Sequence, residues 1–205
     1  MPVGTRSRSG AAALAGIALY ASGCATATLP SPEIATRARG TATYSASVRF
    51  SVSGPDLRGR GRAVLAFERP DRLRVEVPGP TSLRLVAVLR AGSLVAAFPA
   101  ERAVFRDAAT ATALQALFGL SLAPGEIMDV LVGAPPPSLR SYRARWGPAL
   151  PRSIDATLAD GTRLKLEVES ADLDAAIPAA AFQEPPHDGY REVDATEARS
   201  LWGSR

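Results

Sequence analysis

Residues 42–52 contain the feature that most restricts the possible folds of this chain. Every even position from Ala42 to Val52 is apolar, and every odd position from Thr43 to Ser51 is polar. A period of two residues places successive side chains on opposite faces of an extended backbone. The segment is therefore predicted to form a β-strand with one buried face and one solvated face.

The same alternation recurs along the chain between short turn sequences. Further strands are predicted around Ala63–Phe67, Leu73–Val77 and Leu83–Leu89, and at 93–98, 101–106, 141–146, 152–159 and 164–168. Asp160-Gly161 is a strong hairpin signal between the last two. Short strands joined by turns predict a mainly β (α+β) domain built on a curved antiparallel sheet.

Two short helices are predicted to interrupt the strands in mid-chain. Asp107 can cap a helix that runs to about Phe118 and stops at Gly119. A second helix starts near Pro124 and ends at Gly133. Their apolar residues need burial, so this pair is predicted to lie over the concave face of the sheet as a lid. A short closing helix is predicted around 194–202.

The N-terminal residues have the order of an export signal. Residues 1–10 are polar with Arg6 and Arg8, residues 11–21 are apolar, and Ser22 and Gly23 precede Cys24. As a helix the apolar run would span about 16 Å, too short for a hydrocarbon core of about 30 Å. The residues before Cys24 resemble the lipobox of bacterial lipoproteins, although Ala21 stands where leucine is commonest. That likeness implies removal of residues 1–23 and attachment of fatty acyl chains, such as palmitate, at Cys24.

Residues 24–39 are small, polar and proline-bearing, and are predicted to form a flexible tether between the lipid and a domain at 40–205. Ala25 stands where an aspartate would retain some lipoproteins at the inner membrane. The expected location is therefore the periplasmic side of the outer membrane, with the lipid as anchor.

The basic charge of the chain is not expected to indicate nucleic-acid binding. The sequence has 24 Lys and Arg against 20 Asp and Glu, and loss of Arg6 and Arg8 with the signal would leave a net charge of +2. The most basic run, Arg58-Gly-Arg-Gly-Arg62, could be an RNA-binding patch or a solvated hairpin beside a strand. The hairpin is favoured by the small net charge.

Catalytic and metal-binding functions are not predicted, because the residues that they require are missing from the sequence. His187 is the sole histidine and lies in a proline-rich loop, and Cys24, the sole cysteine, is assigned to lipid. Asp172 and Asp174 are expected in a loop, solvated or capping, rather than as a catalytic pair. The chain is expected to be a non-enzyme that uses no cofactor or metal.

The sequence resembles the LolA/LolB lipoprotein-carrier family and related outer-membrane lipoproteins over residues 40–200. The resemblance rests on Phe67-Glu-Arg-Pro-Asp-Arg-Leu-Arg-Val-Glu-Val77, Leu114-Gln-Ala-Leu-Phe-Gly-Leu-Ser-Leu122, Glu126-Ile-Met-Asp-Val-Leu-Val-Gly133 and Gly189-Tyr-Arg-Glu-Val193. It implies a half-open barrel with a helical lid, a hollow for the acyl chains of other lipoproteins, and a soluble periplasmic carrier as partner. In this family a sheet arginine latches the lid of the carrier, and any of the 23 arginines could do so here. The loop at 78–82 has no exposed leucine, although the family's acceptor inserts an apolar loop there.

Two functions follow from these patterns. The first is an anchored, monomeric protein that binds acyl chains and acts in lipoprotein or lipid localisation to the outer membrane. The second is a structural or assembly lipoprotein that uses its sheet as a platform for a partner. The residues predicted to line an acyl-chain hollow are Val48, Phe50, Leu65, Phe67, Leu73, Val75, Leu117, Phe118, Ile127 and Leu131. A packed core would contain the same side chains, so the sequence leaves both functions open.

Overall fold

The computed structural model describes residues 29–55 and 57–203. Its elements are α1 (Pro32–Gly40), β1 (Thr43–Ser53), β2 (Arg58–Glu68), β3 (Arg72–Pro78), β4 (Leu83–Arg90), β5 (Ser93–Phe98), β6 (Ala103–Ala108), α2 (Ala111–Phe118), α3 (Pro124–Leu131), β7 (Leu139–Trp146), β8 (Pro151–Leu158), β9 (Arg163–Leu173), β10 (Arg191–Glu192) and α4 (Ala195–Gly203). A single 3-10 turn occupies Ala179–Phe182. The export signal and Cys24 lie outside the described residues.

All ten strands belong to one open sheet in the order β10-β6-β5-β4-β3-β2-β1-β9-β8-β7. Every pairing is antiparallel except that of β10 with β6, which is parallel. The predicted fold class, a curved sheet with a helical lid inserted in mid-chain, is confirmed. The parallel strand β10 was not predicted, since two residues are too few to form a pattern.

The main core lies between the concave face of the sheet and the helices. It combines inward strand residues such as Phe67, Leu73 and Leu89 with Leu114 and Leu131 of the two inserted helices. The prediction that the helical pair covers the concave face is therefore confirmed. None of the helices within the described ranges has both the length and the apolarity needed to cross a bilayer.

The first inserted helix begins later than the sequence predicts. Asp107 belongs to β6, and its carboxylate accepts a hydrogen bond from the backbone N–H of Ala108 at 2.7 Å. The N-cap is Thr110, whose Oγ1 accepts from the N–H of Ala113 at 3.2 Å. The predicted end is confirmed, because Gly119 closes α2 in the left-handed conformation, with φ at 69°.

A second apolar cluster lies on the convex face over β3–β6. Strands β4 and β5 are buried on both faces along most of their length, so they form nearly continuous apolar runs. The segment around the 3-10 turn covers Val88 and Val95 with Phe182, and Arg74 fixes it by donating to the carbonyl of Ala181 at 2.9 Å. Half of the convex face is therefore covered.

Helix α1 occupies part of the segment predicted as tether. Ser31 caps it by accepting from the N–H of Ile34 at 3.3 Å, and Pro32 is its first residue. Ala35 and Ala38 are buried against the domain. Residues 32–40 are thus part of the folded structure.

Candidate functional site

An apolar hollow of about 100 Å³, partly open to solvent, lies between the concave face and the helices. Its walls are built from three groups of elements: the central strands, the inserted helical pair and the C-terminal helix. The lining residues are Val48, Phe50, Val52, Ala63, Leu65, Leu73, Val75, Val77, Leu89, Leu114, Phe118, Leu120, Ile127, Leu131, Leu164, Leu166 and Trp202. None of these side chains is titratable, so the hollow offers no group for acid–base or nucleophilic chemistry.

The sheet wall follows from register. In the antiparallel pairs, Val48 lies opposite Ala63, and Leu65 lies opposite Val75. Directly opposed residues point to the same face, so the inward residues of β1, β2 and β3 form one continuous apolar surface. Ala63 is the smallest of the side chains that border the hollow.

The roof of the hollow comes from α2, α3 and α4. Phe118 at the end of α2 meets Trp202 of α4 edge to face, with 5.6 Å between ring centroids. Phe50 of β1 stacks on the other side of Trp202 at 5.4 Å. Gly59 and Gly61 of β2 lie beneath these two rings, because a Cβ there would be 3.8 Å from Trp202 and 3.2 Å from Phe50.

Two polar contacts attach α3 to the sheet. Arg69, in the turn between β2 and β3, donates from Nη2 to Oδ1 of Asp129 at 2.7 Å. Tyr142 of β7 donates its hydroxyl to the carbonyl of Val130 at 3.0 Å. Among the described residues, Arg69–Asp129 is the ion pair that joins the strand region to the inserted helices.

Helix α2 makes its polar contacts with α4 and with the turn between β8 and β9, where Gln115 donates to Asp160 at 3.5 Å. Arg199 donates to the carbonyls of Gln115 and Ala116 at 2.8 and 2.7 Å, and these are among the last carbonyls of α2. Arg84 of β4 in turn donates to the carbonyl of Trp202 at 2.8 Å. These polar contacts lie at the margins of the roof, whereas Leu114, Met128 and Leu131 hold it through the core.

Tyr44 is fully buried beside the end of the hollow and stacks on Phe67 at 5.1 Å. Its hydroxyl has no hydrogen-bond partner among the described residues. Burial raises the pKa of Tyr44 well above its ordinary value, and it does the same to the pKa of Tyr142. Both phenols thus stay neutral across physiological pH.

Of the ten residues predicted to line an acyl-chain hollow, eight border the same cavity. They are Val48, Phe50, Leu65, Leu73, Val75, Phe118, Ile127 and Leu131. Phe67 and Leu117 lie elsewhere in the packed core, each with no exposed surface. The prediction missed Trp202, which comes from the end of the chain and has no local pattern that links it to the strands.

The other candidate groups are isolated. Nδ1 of His187 donates to the carbonyl of Pro185 at 2.8 Å, and the other ring nitrogen contacts Arg106. Asp174 accepts from the hydroxyl of Thr41 at 2.8 Å, and Asp172 lies in β9. Within residues 29–55 and 57–203, no three His, Cys, Asp or Glu side chains come together as a metal site would require.

The sequence matches no protein-family model. It also matches no curated protein. Among solved structures, the fold is similar to the crystal structure of a LolA superfamily protein from Nitrosomonas europaea, with 12% sequence identity and a TM-score of 0.43. The likeness covers 77% of this chain and 99% of that chain. It concerns the overall layout and does not extend to function.

Proposed function

We propose that this protein binds acyl chains in the hollow between the sheet and the lid. The observation that carries the proposal is the composition of the walls, in which every lining side chain is apolar. An apolar cavity of this kind stays dry and gains affinity for hydrocarbon, whereas it offers nothing to a polar ligand. Each methylene group that it removes from water contributes about 0.8 kcal/mol.

The size of the hollow defines how it would be used. At about 100 Å³ it is similar to apolar cavities that admit a benzene-sized molecule, and smaller than the 300 Å³ or more of typical ligand pockets. The hollow therefore has room for a few methylene groups. A complete acyl chain would require α2 and α3 to move away from the concave face, against the burial of core residues such as Leu114 and Leu131.

The cellular role that we propose is lipoprotein or lipid localisation to the outer membrane. Acylation at Cys24 would hold the protein on the periplasmic side of that membrane, and several acyl chains on one residue give stable anchoring. The cargo would be the acyl chains of lipoproteins or of free lipids, delivered by a periplasmic carrier. The protein would act as a monomeric acceptor that releases its cargo into the membrane.

The alternative role, a platform for a structural partner, has less support. Such a platform needs a contiguous apolar patch on the surface. The large apolar side chains that are exposed within the described residues are Leu29 and Val64, at 84% and 43%. They do not form such a patch.

The test uses two charged substitutions in the hollow and one in the solid core. Leu65 borders the hollow, and so does Phe118, whereas Leu94 is fully buried away from it. In the Leu65→Asp and Phe118→Asp variants the carboxylate can reach water when the lid lifts, so we expect a folded protein that no longer takes up a fluorescent fatty acid. In the Leu94→Asp variant an unpaired buried charge costs several kcal/mol, and we expect unfolding.

Thermal unfolding and probe uptake are measured on the full chain and its variants. Mass spectrometry of the wild-type protein, extracted in detergent, should detect co-purified lipid. A wild-type protein that takes up no probe, together with unfolding of all three variants, would show that the interior is an ordinary packed core. The platform role would then replace the proposal.

A further inference from the structure

The convex face opposite the hollow has a basic region that the sequence did not reveal. On β2, Arg58, Arg60 and Arg62 alternate with glycines and pair in register with Ser53, Ser51 and Arg49 of β1. Because the intervening residues face the core, these four arginines point outward together, and each residue is exposed. The run that we expected to be a hairpin is thus the outer face of a strand within the sheet.

The basic region continues across three more strands. On β9, Arg163 and Lys165 pair with Ser53 and Ser51, so they share the outward face of β1. On β7, Arg143 lies opposite Asp155 of β8, which in turn lies opposite Lys165. Arg145 is the next outward residue of β7. No helix covers this half of the sheet within the described residues.

Acidic side chains neutralise only part of this charge. Glu169 contacts Arg49 at 2.6 Å and Arg62 at 3.2 Å, while Asp155 lies 3.7 Å from Lys165. With Glu167, which lies 3.8 Å from Arg49, this end of the face has three acidic residues against eight basic ones, while Glu68 and Asp172 lie at the other end of β2 and β9. The surplus is therefore five positive charges at one end of the face, in a protein whose predicted mature net charge is only +2.

The arginines that have no carboxylate partner indicate what this face could bind. Among the described residues, Arg58, Arg60, Arg143 and Arg163 have no carboxylate within 4.0 Å, and Arg145 bonds only to the hydroxyl of Ser153 at 2.9 Å. These five guanidinium groups are free to contact an external anion. Arginine is suited to phosphate because its planar group donates two parallel hydrogen bonds.

We propose that this basic convex face lies against a membrane surface that carries anionic phospholipid headgroups. Attraction to such a surface needs clustered positive charge and neither pockets nor apolar anchors. The outward positions of these strands carry no aromatic side chain, which disfavours single-stranded nucleic acid, since its bases are bound by stacking. It also lacks the apolar centre that is typical of protein interfaces.

The position of the N-terminal segment supports the same partner. Leu29, the first described residue, borders a groove of about 650 Å³. Arg143, Arg145 and Lys165 line this groove from the basic face, and Tyr142, Trp146 and Ile154 line it from the inward positions of β7 and β8. Four residues separate Leu29 from Cys24, and five residue-to-residue steps limit the distance between them to about 18 Å. If Cys24 is acylated as proposed above, its lipid holds this face close to the bilayer and leaves the lid on the opposite side. The charge distribution itself does not depend on acylation.

The experiment uses the full chain with Cys24→Ser, so that no acyl anchor contributes to binding. We expect it to sediment with vesicles of phosphatidylcholine and phosphatidylglycerol at low ionic strength. Vesicles of phosphatidylcholine alone should bind little, and added salt should weaken the binding because it screens exposed charges. In this background, Arg143→Gln with Arg163→Gln should lower the binding constant about 25-fold, at about five-fold for each arginine near an anionic surface.

A matched control removes two positive charges elsewhere. Arg90 and Arg102 are exposed and lie outside the basic face, so Arg90→Gln with Arg102→Gln should leave vesicle binding within about two-fold of the parent. Equal losses in both double variants, or equal binding to both kinds of vesicle, would overturn the proposal. Preference for an oligonucleotide or an acidic protein over the anionic vesicles would also overturn it.

The same samples are tested for uptake of the fluorescent fatty acid, which concerns the hollow on the other face. Loss of vesicle binding with retained probe uptake would reject the basic face alone. Retained vesicle binding without probe uptake would reject the acyl-binding proposal alone.

Discussion

Arg69 and Asp129 form an ion pair of 2.7 Å between the turn that joins β2 to β3 and the second helix of the lid. The side chains are 27% and 38% exposed, so water reaches them without separating them. The Cζ of Arg69 also lies 5.5 Å from the centre of the Phe67 ring, which holds the guanidinium over the aromatic face. This pair connects the lid to the rigid part of the molecule.

Replacing Asp129 by Asn should loosen α3 with little loss of global stability. Exposed and half-exposed ion pairs contribute about 0–1 kcal/mol, so the melting temperature should fall by only a few degrees. The population with the lid open should rise several-fold, and the fatty-acid probe should enter faster. Hydrogen exchange at the amides of α3 and the kinetics of probe uptake are the measurements.

Glu184→Gln is the control for this change. It removes the ion pair of Glu184 with Arg106, which is 3.1 Å long and lies on the convex face away from the lid. Exchange in α3 should be unchanged in this variant. If Asp129→Asn alters neither exchange nor uptake, the lid is not held by this pair.

Tyr44 and Tyr142 provide a matched pair of hydroxyl groups. The Tyr44 hydroxyl is buried without a partner, whereas that of Tyr142 donates to Val130. Tyr44→Phe removes an unsatisfied group and should leave stability unchanged or raise it by about 1 kcal/mol. Tyr142→Phe removes a made hydrogen bond and should cost about 1 kcal/mol. Chemical denaturation of both variants tests the difference in sign.

The two phenols also predict how stability depends on pH. Burial raises the folded-state pKa of each above the unfolded value of about 10. Their stabilising contribution is therefore fully present below pH 10 and is lost as the pH rises above it, by up to about 1.4 kcal/mol per pH unit for each group. We expect the free energy of unfolding, measured by chemical denaturation at a series of pH values, to fall less steeply towards alkaline pH in Tyr44→Phe than in the wild type. Equal alkaline loss in the variant and the wild type would contradict the assignment.

The strands were predictable because most have one buried face, so their apolar residues recur every second position. The observed β1, β3 and β8 differ from the predictions by at most about a residue at either end, as does the Asp160-Gly161 hairpin. Helix α1 was not predictable in this way. Its sequence is small and polar, and it is stabilised by burial of Ala35 and Ala38 against distant parts of the chain.

The site was predictable only in part for a similar reason. Alternation identifies which strand residues point inward, but it does not show whether the space above them is filled. The contribution of Trp202 depends on α4 folding back over strands more than 130 residues earlier in the chain. The basic face likewise depends on register, which aligns arginines from β2, β1, β9 and β7 that are far apart in sequence.

Gly133 should not tolerate a side chain. It has φ at +78°, and a Cβ at this position would overlap the ring of Trp146. Gly133→Ala should therefore lower the free energy of unfolding by about 3 kcal/mol. Backbone strain accounts for about 1–2 kcal/mol of this loss, and steric displacement at the end of α3 accounts for the rest. Gly92 has nearly the same φ, +76°, and open space around it, so Gly92→Ala should cost only the strain. Similar losses in the two variants would mean that Trp146 moves away freely.

The last prediction separates the hollow from the packed core by adding hydrocarbon to each. Ala63 borders the hollow, while Ala96 is fully buried on β5 away from it. Ala63→Leu places three further carbon atoms in an existing space of about 100 Å³, and filling a cavity typically stabilises by about 0.5–2 kcal/mol. Ala96→Leu inserts the same atoms where no space exists, and overpacking costs about 1–3 kcal/mol.

The Ala63→Leu protein should be at least as stable as the wild type. Because the new leucine occupies the proposed site, this variant should bind the fatty-acid probe at least ten-fold more weakly, a loss of about 1.4 kcal/mol of binding free energy. The Ala96→Leu protein should melt at a lower temperature and still bind the probe. Calorimetry and probe titration of the two variants, side by side, test whether the probe binds in the hollow. A stabilised Ala63→Leu protein that binds the probe as well as the wild type does would place acyl binding somewhere other than this hollow.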